Sequence, residues 1–143
     1  MSEQDNTRIA EQYFEAMNAH DFSRLRTYHG AGYQFQAPGL PGPVDEEGNA
    51  ANFQEMITEF PDLTWEVTQK IAGGDYVVMN WTATGTNDGP LTMPSGDTVP
   101  PTGRNGSVIG SSTMEFKNGK IVRQTILYDS MTVMAQLGLM PGM

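Results

Sequence analysis

The chain has 143 residues, a formal net charge of −9 at pH 7 and no cysteine, and this length suits a single domain, residues 1–143, with a buried core. The acidic charge argues against a nucleic-acid or anionic-membrane partner, because either one needs clustered Lys and Arg. The lack of cysteine excludes thiolate nucleophiles, disulfides and zinc–thiolate sites.

The absence of several sequence motifs excludes further classes of protein. No apolar run reaches the roughly 20 residues that cross a bilayer, and the polar segment 1–6 is not typical of a secretion signal, so we expect a cytoplasmic protein. Neither His20 nor His29 has a pair of carboxylates beside it at ligand spacing, which predicts no metal site. The sequence contains no glycine-rich phosphate loop and no nucleophile elbow. We therefore expect no cofactor.

The N-terminal part of the chain has helical periodicity. A first amphipathic helix is predicted to end near residues 18–21, because apolar side chains recur at three- and four-residue steps: Ile9, Tyr13, Phe14 and Met17. Tyr13 and Met17 are candidate pocket residues on its inward face. A shorter second helix is predicted from the spacing of Phe22, Leu25 and Tyr28.

A third helix is predicted to begin after Asp45. The Asp45 side chain can cap free amides, and Glu46 and Glu47 suit the positive end of the helix dipole. The helix should stop at Pro61. Its inward face carries Phe53, Met56, Ile57 and Phe60.

Between the second and third helices, an extended segment alternates aromatic and amide side chains. Tyr33 and Phe35 alternate with Gln34 and Gln36, and successive side chains of a strand point to opposite faces. One of the two pairs should therefore face the interior.

From residue 63 onward the period changes to two, which is typical of strands. Trp65, Val67 and Ile71 alternate with polar residues, and a glycine-rich turn at 73–75 leads into a second strand at 76–84. Segment 86–106, rich in Gly and Pro, is predicted to be a long loop with an irregular strand edge.

Two further strands are predicted at 107–117 and 120–128. Asn118 and Gly119 between them are a strong hairpin signal. Helices followed by strands predict an α+β domain, in which a curved antiparallel sheet wraps around the N-terminal helices and leaves a cone-shaped pocket.

Short motifs along most of the chain resemble, in the same order, recurrent pieces of the SnoaL-like polyketide cyclase family, which belongs to the superfamily shaped like nuclear transport factor two. They are Phe60-Pro61-Asp62-Leu63, Gly85-Thr86, Gly89-Pro90, Pro101-Thr102-Gly103-Arg104, Asn118-Gly119-Lys120-Ile121, Tyr128-Asp129 and Gln136-Leu137-Gly138. The resemblance implies a SnoaL-like α+β barrel. It also implies cofactor-independent aldol cyclisation or isomerisation of a hydrophobic carbonyl or polyketide-like substrate, and a homodimer or higher homo-oligomer.

The resemblance implies that an aspartate removes a carbon-bound proton, but Ile126 occupies the position of that aspartate in this chain. Ser112 stands on the neighbouring strand where relatives can have histidine. Asp129, three residues beyond Ile126, is a candidate base, and it is equally a candidate N-cap for a last helix through residues 131–137.

Two other assignments follow from the resemblance. His29 matches a histidine that the family often has after the second helix, so it is a candidate for proton transfer, or alternatively a partner for helix carbonyls. Gln34 matches a pocket position that offers an amide to a carbonyl, although it could equally be a surface residue.

Strand alternation in register with Ile126 predicts the remaining pocket residues. Trp81 could stack on a flat ligand or fill the core. Methionines could form an adaptable ligand surface or fill gaps in the core. The predicted inward positions are Met79, Trp81, Ser112, Met114, Phe116, Val122, Gln124, Ile126 and Tyr128.

Three functional hypotheses remain. The first is a cofactor-free cyclase, lyase or isomerase. The second is a non-catalytic protein that binds a small hydrophobic ligand, as Ile126 suggests. The third is a relative of the epoxide hydrolases, which is disfavoured because no Asp–Arg–Asp group occupies inward positions.

Overall fold

The computed structural model describes residues 2–93 and 95–140. Within these ranges the elements are α1 Glu3–Asn18, α2 Phe22–Arg26, β1 His29–Gln36, α3 Glu46–Glu59, β2 Thr64–Gly73, β3 Tyr76–Thr86, β4 Leu91–Thr92, β5 Thr98–Val99, β6 Asn105–Lys117, β7 Lys120–Tyr128 and α4 Ser130–Gln136. The predicted α+β class is confirmed. None of the helices in the described ranges is long and apolar enough to cross a membrane.

The main sheet has five strands in the order β1-β7-β6-β3-β2. Neighbouring strands from β2 to β7 pair antiparallel, as predicted, but β1 pairs parallel to β7, so the sheet is mixed. Because β1 and β7 are far apart in the chain, no hairpin forces them to be antiparallel. The predicted loop 86–106 contains the small β4–β5 ladder.

Backbone irregularities change which side chains face the interior. Asn118 and Gly119 both have positive φ, 52° and 76°, as a two-residue hairpin turn requires. A register shift after Glu115 then pairs Phe116 with Ile121. Ile121 is fully buried, so the prediction that Val122 faces inward on β7 is wrong.

A second register shift lies in β2, between Val67 and Gln69. Since an extra residue reverses the side-chain alternation, Ile71 is 49% exposed instead of facing inward. Lys70 points to the inner side and its Nζ donates to Glu11 Oε2 of α1 at 2.7 Å.

The helices form where their caps and apolar faces predict them. Ser2 accepts a bond from Asp5 N at the start of α1, and Asp45 Oδ1 accepts one from Gly48 N at 2.9 Å at the start of α3. The core between the helices and the sheet is formed largely by aromatic and methionine side chains, including Tyr13, Phe14, Met17, Phe35, Phe53, Trp65, Met79, Trp81 and Met114.

The segment after β3 is fastened to the C-terminal end of α3. Asn87 is fully buried, and its Nδ2 donates to the carbonyl oxygen of Glu59 at 3.0 Å. Gly89 N donates to the same oxygen at 3.3 Å. A Cβ atom on Gly89 would lie 1.7 Å from the carbonyl oxygen of Thr58, so only glycine permits this approach.

We therefore predict that Gly89→Ala destabilises the fold, by about 1–3 kcal/mol, because backbone atoms must separate to admit the methyl group. The matched control is Gly42→Ala, since no atom lies within 4 Å of the added carbon there. Urea unfolding measures both variants. Equal midpoints for the two would contradict the close packing of this loop on α3.

Candidate active site

A narrow cavity lies between α1, α3 and the inner face of the sheet. Its volume is about 20 Å³, which is room for about one water molecule. A larger ligand must therefore displace side chains, and the flexible Met17 and Met56 are suited to this. The lining residues are Tyr13, Met17, Leu25, Phe35, Asn49, Asn52, Phe53, Met56, Gln124 and Ile126.

A chain of three polar side chains reaches this cavity through Tyr13. His29 Nδ1 lies 2.7 Å from Glu46 Oε2, and His29 Nε2 lies 2.8 Å from the Tyr13 hydroxyl. With Glu46 ionised, the geometry assigns the ring proton to Nδ1, so that Nε2 accepts the Tyr13 O–H. The cavity wall thus carries a phenol whose proton can pass to a buried imidazole.

Packing and charge hold this chain in place. The His29 side chain is only 1% exposed and stacks on Tyr33 with ring centroids 3.7 Å apart. Arg26 Nη1 donates to Glu46 Oε1 at 2.9 Å, which fixes the carboxylate. Burial lowers the pKa of His29 against the opposing effect of Glu46, and it raises the pKa of Tyr13. At neutral pH the imidazole is therefore uncharged and the phenol protonated.

A second polar group joins the helix α3 to the sheet. The Tyr33 hydroxyl donates to Gln124 Oε1 at 3.0 Å and accepts from Asn49 Nδ2 at 3.1 Å. Asn49 and Gln124 both line the cavity, so each can turn a polar atom toward a ligand.

The comparisons with known proteins agree with this architecture. The profile of the SnoaL-like polyketide cyclase family matches residues 7–137. The chain belongs to this family. No curated protein sequence matches the chain.

Three solved structures illustrate the similarity. AclR from Streptomyces galilaeus, a candidate hydroxylase, has a TM-score of 0.86 at 22% identity, covering 99% of this chain and 86% of AclR. IdmH from Streptomyces antibioticus, a candidate polyketide cyclase, has a TM-score of 0.80 at 29% identity, covering 93% of this chain and 98% of IdmH. A candidate SnoaL-like polyketide cyclase from Jannaschia sp. CCS1 has a TM-score of 0.84 at 21% identity, covering 96% of this chain and 94% of that protein.

Four of the pocket residues predicted from the sequence line the cavity: Tyr13, Met17, Gln124 and Ile126. Met79, Met114, Trp81 and Ser112 are instead buried in the adjacent core, where Trp81 Nε1 donates to Ser112 Oγ at 3.0 Å. Tyr128 is half-buried beside Trp81, with ring centroids 6.3 Å apart.

Asp129 does not face the cavity. Its Oδ1 accepts bonds from Met131 N at 3.0 Å and Thr132 N at 3.3 Å, and its side chain caps α4 on the protein surface. The Thr132 hydroxyl and these amides lower the pKa of Asp129. The interpretation of Asp129 as an N-cap is confirmed, and its side chain is not among those that line the cavity.

Gln34 occupies a surface position, the second of the two alternatives that the sequence left open. It is exposed, whereas Tyr33 and Phe35 are buried. The register of β1 against β7 shifts between His29 and Gln34, so the inward pair could not be deduced by counting residues along the strand.

The sequence analysis missed two polar residues of the site, Glu46 and Asn49. Glu46 had been interpreted only as a favourable charge at the start of α3. Asn49 is the fourth residue after Asp45 and lies on the same face as Phe53, a helical spacing that could have revealed it. Within residues 2–93 and 95–140, no three His, Asp or Glu side chains form a group that could hold a metal ion.

We predict that Asp129→Ala lowers the thermal unfolding temperature, whereas Asp129→Asn nearly preserves it, because asparagine caps helices about as well as aspartate. Neither variant should change ligand binding or turnover in the cavity. The low pKa means that the carboxylate stabilises the fold above its unfolded value of 3.8 and that this contribution is lost as the pH falls through the folded value. Loss of turnover in a stable Asp129→Asn protein would contradict the capping role.

Proposed function

We propose that this protein is a cofactor-independent enzyme that transfers protons on a hydrophobic carbonyl compound, in an isomerisation or an aldol cyclisation. The observation that carries the proposal is the chain of hydrogen bonds from Glu46 through His29 to Tyr13 at the cavity wall. Membership of the SnoaL-like polyketide cyclase family supports the same reaction class, and the apolar lining favours an apolar substrate.

The proposed reaction needs no redox partner. The Tyr13 oxygen accepts an acidic C–H proton from the substrate while the phenolic proton passes to His29 Nε2. The electron pair of the broken C–H bond remains on the substrate as an enolate, and the imidazolium is paired with Glu46. Isomerisation returns the proton to another carbon. In an aldol cyclisation the enolate carbon attacks a second carbonyl, and the new alkoxide takes the proton back.

Tyr13→Phe tests this proposal because it removes the hydroxyl and leaves the aromatic packing. The probe is 2-tetralone, an apolar ketone whose α-protons exchange with deuterium in D2O, followed by proton NMR. We expect exchange to slow by about 10²–10⁴-fold, the usual contribution of an acid–base group. Tyr28→Phe is the matched control, since Tyr28 packs edge-on against Tyr13 with ring centroids 5.9 Å apart.

The pH dependence provides a second measurement in the same experiment. The neutral imidazole is the active form, so exchange through Tyr13 rises with pH across the lowered pKa of His29, below 6.5. His29→Gln should remove this rise. Unchanged exchange in both Tyr13→Phe and His29→Gln would refute the relay.

A non-catalytic ligand-binding protein is the second candidate. It is favoured by Ile126 on the cavity wall and by the surface position of Asp129. In that case 2-tetralone would raise the unfolding temperature of the wild-type protein without exchanging its α-protons.

We also propose a homodimer that pairs the outer faces of two sheets. Ile109 is 77% exposed and Leu127 is 61% exposed. Leu127 pairs with Ser111, two residues from Ile109 on β6, so the two apolar side chains are diagonal neighbours on one face. Exposed apolar neighbours of this kind are typical of subunit contacts.

Replacing both residues by Lys should convert the dimer to a monomer, because it would bring like charges together across a symmetric interface. Light scattering after size exclusion measures the mass. Tyr76→Lys is the control, because Tyr76 is 47% exposed but lies six residues, or roughly 20 Å, along β3 from Thr82, which pairs with Ile109. A wild-type mass of one chain would refute the dimer.

A further inference from the structure

Two rows of side chains run along the cavity and continue past its described lining. On α3, Asn52 and Met56 line the cavity, and Glu59 is the next residue on the same helical face, seven positions after Asn52. On β7, Gln124 and Ile126 line the cavity, and Tyr128 is the next residue on that face. The rows end in a carboxylate and a phenol.

Glu59 lies far from His29 in the structure. Glu46, which binds His29, stands in the first turn of α3, and Glu59 is the last residue of the same helix. Thirteen residues separate them, about 20 Å along the helix axis. Glu59 therefore lies at the other end of α3 from Glu46, one helical turn beyond Met56, and cannot join the hydrogen-bond chain of His29.

The segment 87–92 covers Glu59 and fixes its position. Glu59 Oε2 accepts a bond from Thr92 N at 3.2 Å, and the neighbouring Leu91 is buried. The backbone oxygen of Glu59 accepts bonds from Asn87 Nδ2 and Gly89 N. These contacts hold the backbone and one carboxylate oxygen, and the second carboxylate oxygen forms no hydrogen bond within the described residues.

The local charges are unfavourable for an ionised glutamate. Burial, assisted by the negative charge of Glu55, raises the pKa of Glu59 to about 7, although the Thr92 amide opposes the shift. Burial and the charges of Glu59 and Glu55 also raise the pKa of Tyr128. Tyr128 therefore stays protonated at neutral pH.

We propose that Glu59 is a catalytic base one helical turn beyond the cavity residue Met56 and that Tyr128 is the hydrogen-bond donor for the oxyanion it generates. The inference rests on the proposed function of the cavity as a proton-transfer site. The free carboxylate oxygen of Glu59 takes the C–H proton, the C–H electron pair moves into the enolate, and the Tyr128 O–H donates to the enolate oxygen. Return of the proton from Glu59 to carbon restores both groups.

This assignment replaces the aspartate that relatives are implied to carry at Ile126. Tyr128 is two residues from Ile126 on β7, and Met56 and Ile126 both line the cavity. The carboxylate would come from the facing helix instead of the strand. A half-buried carboxylate is a stronger base than an exposed one, and a base that titrates near the working pH is the most effective.

The test is the pH dependence of deuterium exchange into 2-tetralone, from about pH 5 to about pH 9. We expect the wild-type rate to rise through the titration of Glu59 near pH 7. Glu59→Gln should remove that rise and slow exchange at alkaline pH by roughly 10²-fold or more. Glu55→Gln, on the exposed side of the same helix, should keep the rise and move its midpoint to lower pH, because it removes a negative charge that raises the pKa of Glu59. Tyr128→Phe should leave the midpoint of the rise unchanged and lower the exchange rate reached at alkaline pH.

The variants separate the two proposals. If Glu59→Gln keeps the rise near pH 7 while Tyr13→Phe slows exchange, the inference about Glu59 is overturned and the proposed function survives. If no variant changes the rate, or the wild-type protein does not exchange 2-tetralone, both are overturned.

A measurement on the wild-type protein guards against misfolding of the variant. The carboxyl carbon of Glu59, followed by ¹³C NMR, should titrate near pH 7, and a midpoint near 4.5 would overturn the inference. A folded Glu59→Gln protein should also unfold at a higher temperature than the wild type above pH 7, with no difference below the unfolded pKa of 4.5. A carboxylate with a raised folded pKa loses stability as the pH rises between those two values.

Discussion

The position of α3 across the inner face of the sheet determines the whole candidate site. At its first turn, Glu46 binds His29 and Arg26, and in the middle Asn49 binds Tyr33. At its last residue, Asn87 and Gly89 bind the backbone of Glu59. Because a helix is rigid over this length, these contacts fix both ends of α3 together, and a shift at one end would displace the groups at the other.

Burial shifts the pKa values of His29, which binds the first turn of α3, and Glu59, the last residue of α3, in opposite directions. Removing a group from water disfavours its charged form, so the same effect lowers the pKa of His29 and raises that of Glu59. The hydrogen bonds of each group, to Glu46 and to the Thr92 amide, oppose the shift without cancelling it. Glu59 therefore changes protonation near pH 7 and burial favours the neutral form of His29, and perturbed pKa values of this kind are found most often at functional sites. Structural ion pairs also perturb pKa values, and measurement of proton exchange distinguishes the two cases.

Local sequence signals predicted the elements but not the polar interior. The Asp45 cap, the Asn118–Gly119 turn and the strand at 120–128 depend on neighbouring residues and were predicted correctly. Bulges reversed the expected faces of Ile71 and Val122, because one extra residue reverses the side-chain alternation on one side of the bulge relative to the other. Glu46 and Glu59 look like ordinary residues at helix ends. Their roles depend on tertiary partners 17 and 33 positions away in the chain.

Ile126 illustrates how far family membership can be used. If catalysis required a carboxylate at that one strand position, the isoleucine would imply a binding protein with no chemistry. A cavity has several walls, however, and the reacting atoms respond to the position of a carboxylate and not to the element that carries it. The helix facing Ile126 ends in Glu59, which is already desolvated and held by Thr92. The absence of the strand aspartate is therefore insufficient evidence for loss of activity, and the protonation behaviour of α3 is the property that decides between the two interpretations.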